Sequence, residues 1–133
     1  MKKFIENILG ASRAVCHKGS LVSLNNKTYN VERLWELTKD TIVDSIPVNR
    51  FADQLHTSVW SEHNATPIDV VDHMQRILSS DLSHPIIVLS NGGDWKVLDG
   101  VHRLCKAIGE GQEKIPVRFI TGEYLENHYE EDV

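Results

Sequence analysis

The fold of this chain is decided between residues 85 and 107, which read PIIVLSNGGDWKVLDGVHRLCKA. Residues 85–89 are apolar and mostly β-branched, a pattern typical of a short strand. Gly92 and Gly93 then favour a tight turn, because glycine accepts positive φ angles without a steric penalty. Residues 95–98 have the composition of a second strand. The stretch therefore predicts a β-hairpin.

The hairpin runs through Asp99 and Gly100 directly into a helical pattern. The first turn of a helix leaves backbone N–H groups without partners at the positive end of the helix dipole, which makes it a natural anion site. His102 and Arg103 lie in that turn, where acidic residues would suit the dipole better. Such a pair can simply be solvated, but two potential cations there indicate an anionic partner. We interpret residues 99–103 as a phosphate cradle. The buried face expected for this helix comprises Val101, Leu104, Cys105 and Ile108.

This hairpin and helix resemble the ParB/sulfiredoxin superfamily. The resemblance is carried by Gly-Gly-Asp-Trp at 92–95, Gly-Val-His-Arg at 100–103 and Ile-Pro-Val at 115–117. Residues 45–48, Ser-Ile-Pro-Val, look like the first core strand of that superfamily, so the resemblance covers residues 43–120. It implies an α+β fold, with a small mixed sheet and helices packed on it, and nucleotide phosphates bound by the His-Arg motif at the helix start.

The 133 residues fit one domain that is large enough to bury a core. We divide it into an N-terminal helical and hairpin extension (1–40), the core (41–120) and an acidic tail (121–133) that is either a short helix or disordered. The extension is expected to cover one face of the core. Patterns along the chain predict helices at 2–15, 31–37, 51–55 and 66–79, a hairpin at 21–29, a polar loop at 56–65, and strands at 41–48 and 117–120.

Two helix starts are well marked. Asn30 has the side chain of an N-cap, and Thr66 is followed by Pro67 at the first helical position and by an acid, Asp69, three residues on. The apolar side expected for the first helix comprises Val31, Leu34, Trp35 and Leu37. The apolar side expected for the second comprises Ile68, Val71, Met74 and Leu78.

Composition and charge exclude several classes of protein. No apolar run has the length of a membrane span and the N-terminus leads into no signal-peptide core, so a cytoplasmic protein is expected. Cys16 and Cys105 lack the number and spacing of a disulfide framework or a zinc site. The net charge of -5 and the scattered Lys and Arg residues disfavour DNA as a partner.

Two carboxylates are candidates for the chemistry. Asp99 could hold Mg²⁺ against bound phosphates, or it could cap the helix that follows. Glu62 lies in the loop before Thr66. In the free serine kinases of the superfamily, whose motif is also Asp-Gly-x-His-Arg, a glutamate in that loop region is the catalytic base. The resemblance implies this role for Glu62, and the simpler interpretation is a solvent-facing side chain. We interpret His56, His63 and His73 as surface residues, because their spacing fits no metal site.

The chain also departs from members of the superfamily. Sulfiredoxins carry a nucleophilic cysteine between the glycine and the His-Arg pair, whereas Val101 stands here, and Cys105 lies one helical turn further on. Sulfiredoxin activity is therefore not expected. Partition proteins continue into a helix-turn-helix domain, for which the chain leaves no room after its last core strand. A nuclease role gains no support from the acidic net charge.

We therefore expect a Mg²⁺-dependent phosphotransferase or nucleoside triphosphatase that uses a nucleoside di- or triphosphate such as ATP, ADP or CTP. Its further partner would be a small hydroxyl-bearing substrate or a protein. The alternative is a non-catalytic module that responds to nucleotides, and a base within reach of the phosphate would distinguish the two. The expected phosphate-binding residues are Gly100, Val101, His102 and Arg103, with Glu62 and Asp99 as catalytic residues and Asp99 also as metal ligand.

Overall fold

The computed structural model describes residues 21–24, 27–56 and 66–130. These ranges form a two-stranded hairpin, a four-stranded mixed sheet and helices, so the predicted α+β class is confirmed. The strands are β1 Leu21–Leu24, β2 Lys27–Asn30, β3 Asp44–Pro47, β4 Ile86–Asn91, β5 Asp94–Asp99 and β6 Lys114–Thr121. The helices are α1 Val31–Thr38, α2 Ala52–Leu55, which follows a 3-10 turn at Val48–Phe51, α3 Pro67–Ser79, α4 Val101–Gly109 and α5 Gly122–His128.

Strand β4 is an inner strand of the larger sheet, whose order is β3-β6-β4-β5. It runs parallel to β6 and antiparallel to β5, with which it forms the predicted hairpin. Ile86 and Val88 contribute to the core on one face of the sheet, and Ile87 and Leu89 to the core on the other. A strand covered on both faces reads as a continuous apolar run, which explains the unbroken pattern of residues 85–89.

Helices cover both faces of this sheet. On one face, α4 packs Leu104 and Ala107 against the strands. On the other face, Tyr29 from the β1–β2 hairpin, Leu34 from α1 and Leu125 from α5 form a second core with strand residues. The expectation that the N-terminal extension covers one face of the core is thus confirmed for its described part.

The buried faces of α3 and α4 differ from the prediction. On α3, Ile68 and Met74 are exposed, and Gln75 is buried instead. On α4, Ile108 is exposed and Ala107 is buried. Because α3 packs against α4, its inward side is centred one residue further along than the apolar periodicity indicates. The small Ala107 lets α4 lie close to the sheet.

The acidic tail begins as a helix, so the helical alternative is confirmed as far as His128. Thr121 caps α5 by accepting a hydrogen bond from the N–H of Tyr124 at 3.1 Å. Leu125, 1% exposed, anchors this helix in the second core. Three further predictions lie wholly or partly outside the described residues: the helix at 2–15, most of the polar loop at 56–65 with Glu62 and His63, and residues 25–26 of the hairpin at 21–29.

Both predicted helix starts are confirmed. The side chain of Asn30 accepts a hydrogen bond from the N–H of Glu32 at 2.8 Å. Thr66 and Asp69 form a reciprocal capping box, in which each side chain accepts from the other residue's backbone N–H. The backbone N–H of Thr66 donates to the Asp69 carboxylate and, with a smaller contribution from the Thr66 side chain, lowers the pKa of Asp69. The four-residue signal in the sequence was sufficient to fix where α3 begins.

The C-terminal ends of α1 and α3 are held by cations from other elements. Lys106 of α4 donates to two carbonyl groups at the end of α3, at 3.0 and 2.7 Å. Arg118 of β6 donates in the same way to the carbonyl groups of Thr38 and Thr41, at and just beyond the end of α1. A cation at a helix C-terminus complements the negative end of the dipole. These contacts bring both helix ends to the edge of the sheet where β5 ends and β4 begins.

Gly100, between β5 and α4, permits the closest approach in this region. Its φ of +112° is unfavourable for any residue with a side chain. A Cβ atom at this position would lie 2.4 Å from Cγ2 of Ile86 and 3.2 Å from Nη2 of Arg103. The start of α4 therefore lies directly against the start of β4 only because residue 100 is glycine.

We predict that Gly100→Ala lowers the free energy of unfolding by about 2–4 kcal/mol, because it combines backbone strain with overpacking against Ile86. Gly93→Ala is the matched control, since a Cβ there meets no atom within 4 Å. Urea denaturation of both variants measures the difference. Equal stability of the two variants would show that the contact with Ile86 is readily relieved.

Candidate functional site

A cleft of about 580 Å³ lies at this edge of the sheet. Its walls come from α1, the end of α3 and the loop after it, the start of β4, the start of α4, and β6. The predicted motif lies on it, because Asp99, Gly100, His102 and Arg103 are all part of its lining. Ligand sites in proteins are clefts of roughly 300–1,000 Å³, so this one is large enough for a nucleotide-sized molecule.

The N-terminus of α4 opens on the cleft through its N-cap, Gly100. The first intrahelical hydrogen bond runs from the N–H of Leu104 to the carbonyl of Gly100 at 2.9 Å. The N–H groups before Leu104 have no acceptor within the helix. Within the described ranges, no side chain caps this end. The helix start is therefore able to receive an anion.

Asp99 and Arg103 are paired with each other. Nη2 of Arg103 donates to Oδ2 of Asp99 at 2.8 Å, and its Nη1 donates to the carbonyl groups of Pro85 and His84 at 2.7 and 3.1 Å. The indole Nε1 of Trp35 donates to the same carboxylate oxygen at 2.7 Å. The alternative in which Asp99 caps α4 is not what the described residues show. Arg103 holds the loop before β4, and Asp99 orients the guanidinium group of Arg103 by accepting its hydrogen bond.

His102 lies in contact with His73 of α3. Nδ1 of His73 is 2.9 Å from Nε2 of His102, and the two rings are stacked with 5.2 Å between their centres. The interpretation of His73 as an isolated surface residue is therefore wrong, because its side chain is partly buried against the motif. The fixed contact orients the ring of His102 on the wall of the cleft.

Two further cations on the cleft come from outside the motif. Lys39 lies just after α1, and Arg118 projects from β6. Within the described part of the chain, both acceptors of Arg118 contact its Nη1, which leaves Nη2 and Nε as donors for a ligand. Sequence reasoning missed both residues. Arg118 did leave a signal, as the one charged residue in the apolar run 115–120.

Asp81 and Cys105 differ in their readiness to ionise. Ser83 donates to the Asp81 carboxylate through its hydroxyl at 2.6 Å and its backbone N–H at 2.9 Å, and these bonds lower the pKa of Asp81. Burial raises the pKa of the Cys105 thiol. Asp81 is therefore an ionised carboxylate on the cleft lining, whereas the Cys105 thiol stays protonated.

Among the described residues, the carboxylates of the cleft lining are Asp99 and Asp81, so a metal ion at this site would depend on them. No group of three or more His, Cys, Asp and Glu side chains among the described residues is arranged to hold a metal ion. Mg²⁺ ordinarily takes one or two carboxylates and completes its shell with water and phosphate oxygens. The residues present thus fit a Mg²⁺ ion that is bound together with a phosphate. The other candidate carboxylate, Glu62, lies outside the described residues.

Comparisons of the chain with protein-family models, with curated proteins and with solved structures gave no match. None of the helices in the described ranges combines the length and the apolar character required to cross a membrane.

We predict that Arg103→Ala lowers the free energy of unfolding by roughly 1–3 kcal/mol, because the carbonyl groups of His84 and Pro85 and the Asp99 carboxylate all lose a donor. Lys96→Ala, which removes an exposed cation from β5, is the control and should stay within about 0.5 kcal/mol. Thermal unfolding followed by circular dichroism compares the two. Wild-type stability in Arg103→Ala would mean that these hydrogen bonds contribute nothing net.

Proposed function

We propose that this protein binds a nucleoside di- or triphosphate in the cleft, with a phosphate group at the N-terminus of α4. The observation that carries the proposal is the set of cations on the lining of the cleft onto which that helix end opens. The cleft wall holds the permanent cations Lys39, Arg103 and Arg118 against the carboxylates Asp81 and Asp99, whereas the chain as a whole carries a net charge of -5. In a chain that is acidic overall, a cleft that combines three cations with an uncapped helix start favours an anion.

The hydrogen-bond donors around the cleft have different partners. The described hydrogen bonds of Arg103 go to carbonyl groups of the loop before β4 and to Asp99. The described groups that we propose contact a phosphate are the first N–H groups of α4, His102, and the side chains of Lys39 and Arg118. Charge-assisted hydrogen bonds from such groups are the strong ones in phosphate recognition.

We further propose that the bound nucleotide serves phosphoryl transfer or hydrolysis, with Mg²⁺. Both donors to Asp99 among the described residues contact Oδ2, so Oδ1 is the oxygen suited to the metal. The metal would supply charge neutralisation between phosphate oxygens, and the protein would position the groups, as in phosphoryl transfer generally. Glu62 is the proposed base, by the resemblance to free serine kinases of the ParB/sulfiredoxin superfamily. The proposal places the protein in the cytoplasm.

One observation favours a second candidate, a non-catalytic module that responds to nucleotides. Asp99 and Arg103, the charged ends of the motif, are bonded to each other and join α1, β4 and α4. A ligand at Gly100 would lie against this junction and would stabilise the arrangement of these elements. A protein partner that contacts α1 could then distinguish the nucleotide-bound protein from the free protein without any turnover.

We predict that Lys39→Ala weakens the binding of pyrophosphate and of ATP by about tenfold, because an ion-assisted hydrogen bond is lost. Lys114→Ala is the matched control, since Lys114 is an exposed lysine that is not part of the cleft lining. Isothermal titration calorimetry at constant ionic strength measures both. Failure of the wild type to bind either ligand would refute the proposed function, and equal affinities in the two variants would remove Lys39 from the site.

Turnover separates the two candidates. We predict that wild-type protein with Mg²⁺ releases or transfers phosphate from ATP, ADP or CTP when it is offered small hydroxyl compounds. Glu62→Gln, which keeps shape and removes the basic carboxylate, should lower the rate by roughly a hundredfold with unchanged nucleotide affinity. Binding without turnover would support the module, and a fully active Glu62→Gln variant would exclude Glu62 as the base.

A further inference from the structure

An aromatic ring forms part of the cleft wall beside the anion site. Trp35 of α1 lines the cleft and is 38% exposed. The sequence pattern predicts this residue on the apolar side of its helix, where a tryptophan would be buried in the core. In the structure, Leu34 takes the core position with no exposed area, and the indole of Trp35 faces the cleft instead.

The ring is held in place by a polar contact with the motif itself. Its Nε1 donates to Oδ2 of Asp99 at 2.7 Å, and Asp99 immediately precedes the N-cap of α4. The indole therefore contacts the residue that precedes Gly100, where the phosphate is proposed to bind. A ring whose orientation is fixed before binding loses little conformational freedom when a ligand packs on it.

The size of the cleft indicates whether its ligand is an inorganic phosphate or a larger phosphate that carries a ring. Its volume of about 580 Å³ is much larger than a phosphate group requires. The lining also includes Pro85 and Ile87, which add apolar surface to the cleft. A cleft lined by cations and by an aromatic ring matches a ligand with a phosphate group and a flat ring, and flat rings of nucleobases stack well on aromatic side chains.

We propose that Trp35 is the stacking platform for the aromatic ring of the ligand, so that the site selects ring-bearing phosphates over inorganic ones. This inference rests on the proposed function, because it concerns the aromatic ring of the same nucleotide. It also gives the N-terminal extension a direct part in binding, in addition to its role in covering the core.

The test compares pyrophosphate with ADP and CTP on wild type, Trp35→Leu and Trp35→Phe. Trp35→Leu removes the ring and should weaken nucleotide binding about tenfold, while its affinity for pyrophosphate stays within about twofold of wild type. Trp35→Phe removes the hydrogen bond to Asp99 but keeps an aromatic ring, and it should retain most of the nucleotide affinity. Calorimetry gives the affinities, and thermal unfolding checks that each variant is folded.

Tryptophan fluorescence is an independent measure of contact between the ligand and the indole of Trp35. Nucleotide should quench the emission of wild type and of Trp60→Phe, and the quenching should be lost in Trp35→Phe. Equal affinity of wild type for pyrophosphate and nucleotides would overturn the inference and leave the proposed function standing. Equal weakening of both ligands in Trp35→Leu would also overturn it, since Trp35 would then act only through Asp99. No binding of any ligand would remove the proposed function and this inference with it.

Discussion

One carboxylate oxygen, Oδ2 of Asp99, accepts hydrogen bonds from Arg103 and from Trp35. Through these two donors, the last residue of β5 is tied to α4, to α1 and, by the other arm of Arg103, to the backbone before β4. This junction positions two walls of the cleft. It holds Arg103 against the backbone before β4 and the indole of α1 beside the start of α4. A partly buried carboxylate that loses its hydrogen-bond donors destabilises the fold, because its desolvation is then uncompensated.

The same region shows how a short motif can serve both structure and binding. Gly100 lets the helix start lie against Ile86, so the N–H groups of α4 reach the cleft wall. The positive end of the dipole then faces the space where Lys39 and Arg118 also lie. Arg118 already neutralises the end of α1, so a single side chain links a helix C-terminus to the proposed phosphate site. Arg103 and Arg118 are thus held by hydrogen bonds before any anion binds.

Much of the fold could be predicted from local sequence, because its signals are short-range. The Asn30 cap, the Thr66 capping box and the hairpin around Gly92 each depend on residues within a few positions of one another, and all three are observed. Helix faces were harder. The inward side of α3 centres on Gln75, since packing on a neighbouring helix, rather than apolar periodicity, sets its rotation.

For the candidate site, the sequence by itself determined the helix start at Gly100 and the location of the motif on it, because a strand, a glycine and a helix are contiguous in the chain. Only the tertiary structure decided what the motif residues contact. Trp35 and Lys39 lie sixty or more positions before the motif in the sequence, and they reach the cleft because α1 packs on the sheet face next to it. His73 reaches His102 through the packing of α3 on α4. Contacts between distant segments depend on how whole elements pack, and no local pattern of residue types encodes that geometry.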